Sequence, residues 1–524
     1  MEVPSVGILM MENLGKEDEI FWSSGMTADL ITKVAGAGLI RVAPLDDILK
    51  LDKDLSIEEK AEKLRVKYIL THSFLIKDDG FDLWCKLENT ENGVALFSNK
   101  ISEPMDMTTQ MVGKLANDII TSLKVKTVQD VMKAPTTNTE AYKYYLEAEY
   151  IYDKRKDMKD IKIARGLYQK AIELDDNLIK AKTSLGWTYS ETGDYDKAME
   201  IYTSVLKQAE ELGDKSGMGY SLNCIGNASL NKGDYEKALD YYERSLKIYE
   251  ELGDKSGMGW SLNNIGLVYK NQGDYGKAMD YYERSLAISE ERGNKSWIGY
   301  NLNSIGIVYA DKGDYEKAMD YFERAFKNYE ELGNKGGLGR TLHNIGLVHY
   351  NKGDYDKALD YYTRSLKIAD ELGDKYSIGH SLMGIGLVYA DIGDHDKAEE
   401  HFERAVQLEP DYSEAQNNYG VFLCQQSRYD EAEKRFLKAL ENPLYSSAAL
   451  AYENAGLCTE KAGATDRAEG YFRKALQMAP RLPKSLLKMA SISYQQQNYL
   501  QARGYIQRFQ QAASWTSQAL LLGI

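Results

Sequence analysis

The sequence predicts an α+β chain: a small N-terminal α/β domain followed by an all-α solenoid of about ten helix pairs. Three observations predict it. The phrase "NNIGLVYKNQGDYGKAMDYYERSL", Asn263 to Leu286, returns lightly edited at a fixed step. Before about residue 127 the rhythm is different, with short apolar runs alternating with amphipathic stretches. At 524 residues the chain also exceeds one ordinary core, so several domains or a repeat array are expected.

The first 127 residues are expected to form one compact domain. "VPSVGILMM" reads as a buried strand, because an apolar run this short behind an acidic residue is not a secretory signal. "EDEIFWSSGMTADLITKVAGA" reads as a helix capped near Asp18 or Ser24. "GLIRVAP" is a strand and "SIEEKAEKLR" a short helix. "KYILTHSFLIKD", "GFDLWCKLEN" and "GVALFSNKI" are three strands joined by "DDG" and "TENG" turns, and "MTTQMVGKLANDIITSLKV" closes with a helix. Residues 128–138 are expected to be a linker.

The repeats begin at about Thr139. Ala198, Ala238, Ala278, Ala318, Ala358 and Ala398 stand forty apart. Ala164 precedes them by 34, and Ala432, Ala468 and Ala502 follow at steps of 34, 36 and 34, giving ten units. Each unit reads as two helices. Helix A carries Leu262, Ile265, Gly266 and Tyr269 on one face, and helix B carries Ala278, Tyr282 and Leu286. The "NQGDY" turn between them uses Gly273. Recurrent Gly on helix A and Ala on helix B let the paired helices approach closely. Asp280 and Arg284, with their copies Asp240/Arg244, Asp320/Arg324 and Asp360/Arg364, are i,i+4 surface pairs. One helix pair cannot bury its own apolar face, so the copies stack into a superhelix.

These positions resemble the tetratricopeptide repeat, whose helix A runs large–apolar–Gly–aromatic and whose helix B carries Ala and an aromatic. Leu262, Ile265, Gly266, Tyr269, Ala278, Tyr282 and Ser285 occupy those places. "GWTYSETGDYDKA" and "RAVQLEPDYSEAQNNYG" are close to the standard pattern, and the forty-residue version with "ELGDKSGMG" resembles the variant of kinesin light chains. The first domain resembles the TolB-like amino-terminal module of bacterial cyclase-linked and regulator proteins, through "ILMMENLG", "SSGMTADLITKVAGAGLIRV", "LRVKYILTHSFLIKDDGFDLWCKLENTENG" and "NTEAYKYYLEAEY".

A seam follows at about residue 405, dividing the array into 139–404 and 405–524. From Ala405 onward there are 13 Lys/Arg and 11 Asp/Glu, so this part carries +2 and the rest of the chain −17. Proline, absent between Pro135 and Pro410, returns. "YGVFLCQQSRYDEA", "ENAGL" and "SQALLLGI" resemble type IV pilus biogenesis and stability proteins, the outer-membrane pilotins. Those relatives carry an N-terminal lipid-bearing Cys that this sequence lacks, and they continue further. A recombined or joined chain would explain the seam, and the last helix A is expected either to be cut short or to dock on another subunit. Trp515, Leu520, Leu521, Leu522 and Ile524 in that helix would then support self-association.

Composition narrows the function. A net charge of −15 argues against a nucleic-acid partner. No apolar run is long enough for a transmembrane segment. Cys85, Cys224, Cys424 and Cys458 have no CxxC or metal spacing, so reduced thiols and a cytoplasmic setting are expected. His395 and His401 stand i,i+6, as do His343 and His349, which is off one helical face. No catalytic residues, no metal site and no cofactor are expected, and the chain is read as a non-enzyme.

The tetratricopeptide resemblance implies that helix A lines a concave groove. Tyr220, Trp260, Tyr300, Arg340 and His380 fall at one level of it. Asn223, Asn263, Asn303, His343 and Met383 lie one turn along, and Asn231, Asn271, Asp311, Asn351 and Asp391 near the helix end. Lys270 and Arg340 are the groove cations. Asparagine is a poor helix former, so its recurrence needs a reason, and an amide can clamp a peptide backbone. Repeat duplication would also copy it. The expected function is a non-enzymatic scaffold holding a protein or peptide ligand in that groove. The alternatives are the regulatory region of an adenylate cyclase or transcription regulator lacking its output domain, and a type IV pilus assembly factor. The last would place the chain in the periplasm or at the outer membrane.

Overall fold

The computed structural model describes residues 3–37, 40–77, 80–127, 131–132, 134–155, 158–442, 445 and 447–512. The expected terminal helix A after residue 512 and the Asp78–Asp79 turn lie outside the described residues. The described residues fall into two compact units, Met1–Gly337 and Leu338–Ile524.

The first unit opens with a mixed sheet. Its strands are β1 (Ser5–Ile8), β2 (Glu12–Asn13), β3 (Arg41–Val42), β4 (Tyr68–Lys77), β5 (Gly80–Asn89) and β6 (Ala95–Pro104). The order is β3-β1-β4-β5-β6, with β2 alongside β4. β1 pairs in parallel with β3 and β4, while β4, β5 and β6 form an antiparallel meander. Leu70, His72 and Phe74 lie opposite Leu87, Cys85 and Leu83, which puts these six side chains on one sheet face by strand alternation. The helices are α1 (Phe21–Ala35), α2 (Leu45–Leu49), α3 (Ile57–Leu64) and α4 (Thr108–Ser122).

Two details differ from the sequence reading. A 3-10 turn over Glu17–Glu19 precedes α1, which begins at Phe21 with no side-chain cap. The expected cap at Asp18 or Ser24 is absent, and the Ser24 hydroxyl instead donates to Phe21 C=O at 3.4 Å. The short helix α2 was not foreseen. α3 does carry a capping box, Ser56 with Glu59.

Among the described residues ten helix pairs follow. They are α5 (Thr139–Asp153) and α6 (Met158–Leu174), α7 (Ile179–Glu191) and α8 (Tyr195–Leu212), α9 (Lys215–Asn231) and α10 (Tyr235–Leu252), α11 (Lys255–Asn271) and α12 (Tyr275–Arg292), and α13 (Lys295–Asp311) and α14 (Tyr315–Leu332). Then come α15 (Lys335–Asn351) and α16 (Tyr355–Leu372), α17 (Lys375–Ile392) and α18 (His395–Leu408), α19 (Ser413–Gln425) and α20 (Tyr429–Ala439), α21 (Ala448–Lys461) and α22 (Thr465–Met478), and α23 (Pro483–Gln495) and α24 (Tyr499–Ala512). The "GDY" turn sets the start of α8, α10, α12, α14 and α16. Gly273 takes φ +78, and Asp274 caps α12 by accepting from the Lys277 N–H.

Packing within a pair is ring into glycine. An added Cβ at Gly266 would sit 2.9 Å from Tyr282, and one at Gly306 would sit 2.6 Å from Phe322. Ala278, Ala318 and Ala358 are fully buried. The expected surface pairs form, with Arg284 at 3.7 Å from Asp280 and Arg244 at 3.3 Å from Asp240.

The core of the α/β domain does not stop at its border. One apolar cluster runs from Val6 through Trp22, Phe81 and Leu146 to Leu185 on α7. The Trp22 ring lies 5.7 Å from Phe81 and 5.9 Å from Tyr142 on α5. Tyr142 O–H and the Lys180 ammonium both donate to the buried Asp29 carboxylate. Of the stretch expected as a linker, residues 128–130 and 133 lie outside the described residues, while Val131 and Thr136 are buried.

In the second unit a disulfide joins Cys424 on α19 to Cys458 on α21, with Cα atoms 5.8 Å apart. This corrects the expectation of four reduced thiols. The pairing is made by adjacent A helices running side by side across 34 residues, which leaves no short motif in the sequence. Cys85 and Cys224 are free and buried.

Candidate partner-binding surface

The expected groove residues separate by burial. In the first unit Asn223 is fully buried and Asn263 is 2% exposed, so neither offers an amide to a ligand. This corrects their placement at an open surface. The Asn223 amide donates to Ser245 Oγ on α10 and to Ser261 Oγ on α11, each at 2.8 Å. The Asn263 amide donates to Asn301 Oδ1 on α13 at 3.0 Å. Asn301 in turn donates to Ser289 Oγ at 3.2 Å and to Trp297 C=O at 2.9 Å. Asn264 repeats the pattern on Asn227, which also accepts from Tyr242 O–H at 2.6 Å. At these positions asparagine therefore has a structural reason: the buried amides of Asn223 and Asn263 donate to side chains of the next repeat where water is excluded. Asn303 is half-buried.

The aromatic level behaves otherwise. Tyr220 and Tyr300 are 37% and 42% exposed, and Trp260 is half-buried. The Tyr220 and Trp260 rings lie 5.2 Å apart, and Trp297 stands edge-on to Tyr300 at 5.4 Å. Trp187 on α7 joins this row by donating its indole N–H to Tyr220 O–H at 2.9 Å. Sequence reasoning missed Trp187, because it sits one place after Gly186 on its helix and so falls out of register with Tyr220, six places before Gly226. Asn271 is exposed and Lys270 half-buried. Burial raises the Asp311 carboxyl above its usual range, and the Lys270 charge offsets part of that rise.

In the second unit Arg340 and Asn351 are exposed. His380 sits in a ring cluster, 4.3 Å from Tyr376, 4.9 Å from Tyr412 and 5.7 Å from His343. Tyr412 O–H lies 2.9 Å from the His380 ring nitrogens. Burial pulls His343 down to about 3 and His380 to about 4, so both are neutral at physiological pH. Tyr376 is 64% exposed, and neither it nor Tyr412 was singled out in the sequence.

Both surfaces thus present neutral rings and amides beside a cation, Lys270 on the first and Arg340 on the second. Such groups recognise a chain by stacking and hydrogen bonding. Among the described residues no group of three or more His, Cys, Asp or Glu could hold a metal ion. Among the described residues no helix is long and apolar enough to cross a membrane.

Family models for the tetratricopeptide repeat match residues 181–216, 218–291, 299–371, 337–408, 383–443 and 423–483, more than half of the chain. The type IV pilus assembly protein PilF of Pseudomonas aeruginosa is 38% identical over 108 residues, which is 21% of this chain and 43% of PilF. An uncharacterized protein of Haemophilus influenzae is 40% identical over 50 residues, 10% of this chain and 28% of its own. The chain therefore spans less than half the length of the curated relatives it matches. Among solved structures, that of Pseudomonas aeruginosa PilF aligns with a TM-score of 0.34 at 28% identity, covering 36% of this chain and 82% of that one. The type IV pilus biogenesis factor PilW aligns with a TM-score of 0.32 at 26% identity, covering 36% and 83%.

Proposed function

The chain belongs to the tetratricopeptide-repeat family, and from that premise we propose that it is a scaffold holding an extended peptide or a partner helix along the A-helix face of the first unit. The observation that carries this reading is the run of rings Trp187, Tyr220 and Trp260, continued by Tyr300 on the next A helix, with Tyr220 and Tyr300 each more than a third exposed. Large rings with few rotatable bonds are the side chains that dominate partner binding when desolvated. Asn271 and the Lys270 ammonium would set the register of the bound chain near the helix end. The test is capture of partners by wild-type protein and by Tyr220→Ala/Tyr300→Ala. Loss of the captured partner at unchanged melting supports the reading, and equal capture sinks it.

A second reading is favoured by the PilF likeness together with the Cys424–Cys458 disulfide: a role in type IV pilus assembly, on the periplasmic side of the outer membrane. Disulfides persist in oxidising compartments and are rare in the cytosol. Thiol labelling in freshly lysed source cells tests it. Protected Cys424 and Cys458 agree with the periplasm, and full labelling returns the chain to the cytoplasm.

A further inference from the structure

Among the described residues the α/β domain touches the repeats in two places. The first contact is the shared core with α5 and α7 described above. The second lies far along the array. The Arg41 guanidinium of β3 donates through Nε to Arg292 C=O at 2.8 Å, across 251 residues of sequence. The same side chain is held by Leu64 C=O at 2.9 Å and Arg65 C=O at 2.5 Å. Arg292 ends α12, so a cation meets the helix end where unpaired carbonyls gather. Asp47 on α2 accepts from the Ser296 hydroxyl, in the first turn of α13. There an anion meets the helix end where unpaired N–H groups gather. The Lys50 ammonium lies 3.5 Å from Ser296 Oγ, and Arg65 pairs with Glu331 at 3.7 Å.

The turn glycines mark the same contact. An added Cβ at Gly293 would run into the Arg41 guanidinium at 2.5 Å, and one at Gly333 would lie 3.6 Å from Lys50 C=O. The equivalent Gly213 and Gly253 face open space. Gly293 and Gly333 therefore mark two consecutive inter-repeat turns that the α/β domain covers, whereas Gly213 and Gly253 mark two that it leaves open.

We infer that the α/β domain is a clasp. It is fused to the first helix pairs through a common core and latched by Arg41 and Asp47 to the α12–α13 turn, which fixes the superhelical path of the repeats between. The two attachments differ in kind. The core at α5–α7 is apolar and continuous, whereas the latch is a few polar contacts to backbone, one hydroxyl and one carboxylate. The latch is the end that opens. The rings of Tyr220, Trp260 and Tyr300 lie on A helices spanned by the clasp, so an open latch changes their spacing. That last step rests on the partner-binding reading. The clasp itself does not.

Hydrogen exchange on the unaltered protein tests the latch directly, because the chain carries its own control. Amides of 293–298 should exchange about tenfold more slowly than those of 253–258, roughly the effect of one charge-assisted hydrogen bond. Two variants extend the test. Arg41→Ala removes the latch cation. Ser296→Asp places a carboxylate against Asp47, yet an acid in the first turn of a helix favours the helix itself. Spin labels on Glu62→Cys and Glu330→Cys should give one narrow distance in the parent and a longer, broader distribution in both variants. Equal exchange at the two turns, or an unchanged narrow distance in Ser296→Asp, overturns the clasp. Weakened partner capture by Ser296→Asp would add the coupling to the ring surface. Full capture with a lengthened distance would keep the clasp and remove that coupling.

Discussion

Asn263 on α11 donates its side-chain amide to the Asn301 carbonyl oxygen on α13 at 3.0 Å, with Asn301 fully buried and Asn263 2% exposed. At this position the asparagine joins successive repeats. Asn263→Ala should then lower stability by about 1–3 kcal/mol, since it leaves a buried acceptor on Asn301 without its donor. Urea denaturation checks this. An unchanged midpoint would mean that the pair contributes nothing.

Gly306 should tolerate no side chain, because the Phe322 ring already fills the space a Cβ would enter. Gly306→Leu is expected to cost at least about 1–3 kcal/mol through overpacking. The damage should stay near α13 and α14, because a repeat contacts only its neighbours. Peptide-resolved hydrogen exchange reads this as faster exchange around residues 295–332, with α19 to α24 unchanged.

His72 gives the α/β domain a pH dependence. Neither ring nitrogen has a hydrogen-bond partner, and burial pulls the group down to about 3. In the unfolded chain the ring protonates near its ordinary value of 6.5. Below that pH the unfolded state binds a proton that the folded state refuses. Stability should therefore fall as pH drops from about 6.5 towards 3. Exchange of the β4 amides should be faster at pH 5 than at pH 7 after correction for intrinsic rates, and His72→Phe should flatten the difference. A difference that is the same in His72→Phe would locate the effect elsewhere.

Reducing Cys424–Cys458 should weaken the second unit. The bond closes a loop of 34 residues, and chain-entropy arguments put such a loop at about 3–4 kcal/mol. The denaturant midpoint reported by Tyr419 and its neighbours should drop with reductant, and Cys424→Ser/Cys458→Ser should reproduce the reduced value.

The repeats were legible because their determinants are local. Gly273 and Asp274 write the turn and the cap within two residues, and Ala278 and Gly266 mark the tight face within one unit. The meander β4–β6 was legible for the same reason, through alternation and short turns. The cap of α1 was not, since Ser24 could serve as a cap on paper but bonds within the helix. The role of Asn263 was out of reach because helical position alone does not say which side a neighbouring repeat covers. Its partner Asn301 lies 38 residues away. The latch of Arg41 on Arg292 and the pairing of Cys424 with Cys458 depend on where the superhelix carries distant turns, which no local pattern encodes.

The central claim is that partners bind over the exposed rings of the A helices and not on the outer faces of the B helices. Site-specific photo-crosslinking tests it most directly. A photoreactive residue at Tyr220 or Tyr300 should yield a covalent adduct with the partner, and the same residue at Arg284, on the outer face of α12, should yield none. An adduct from Arg284 with none from Tyr220 or Tyr300 would contradict the account.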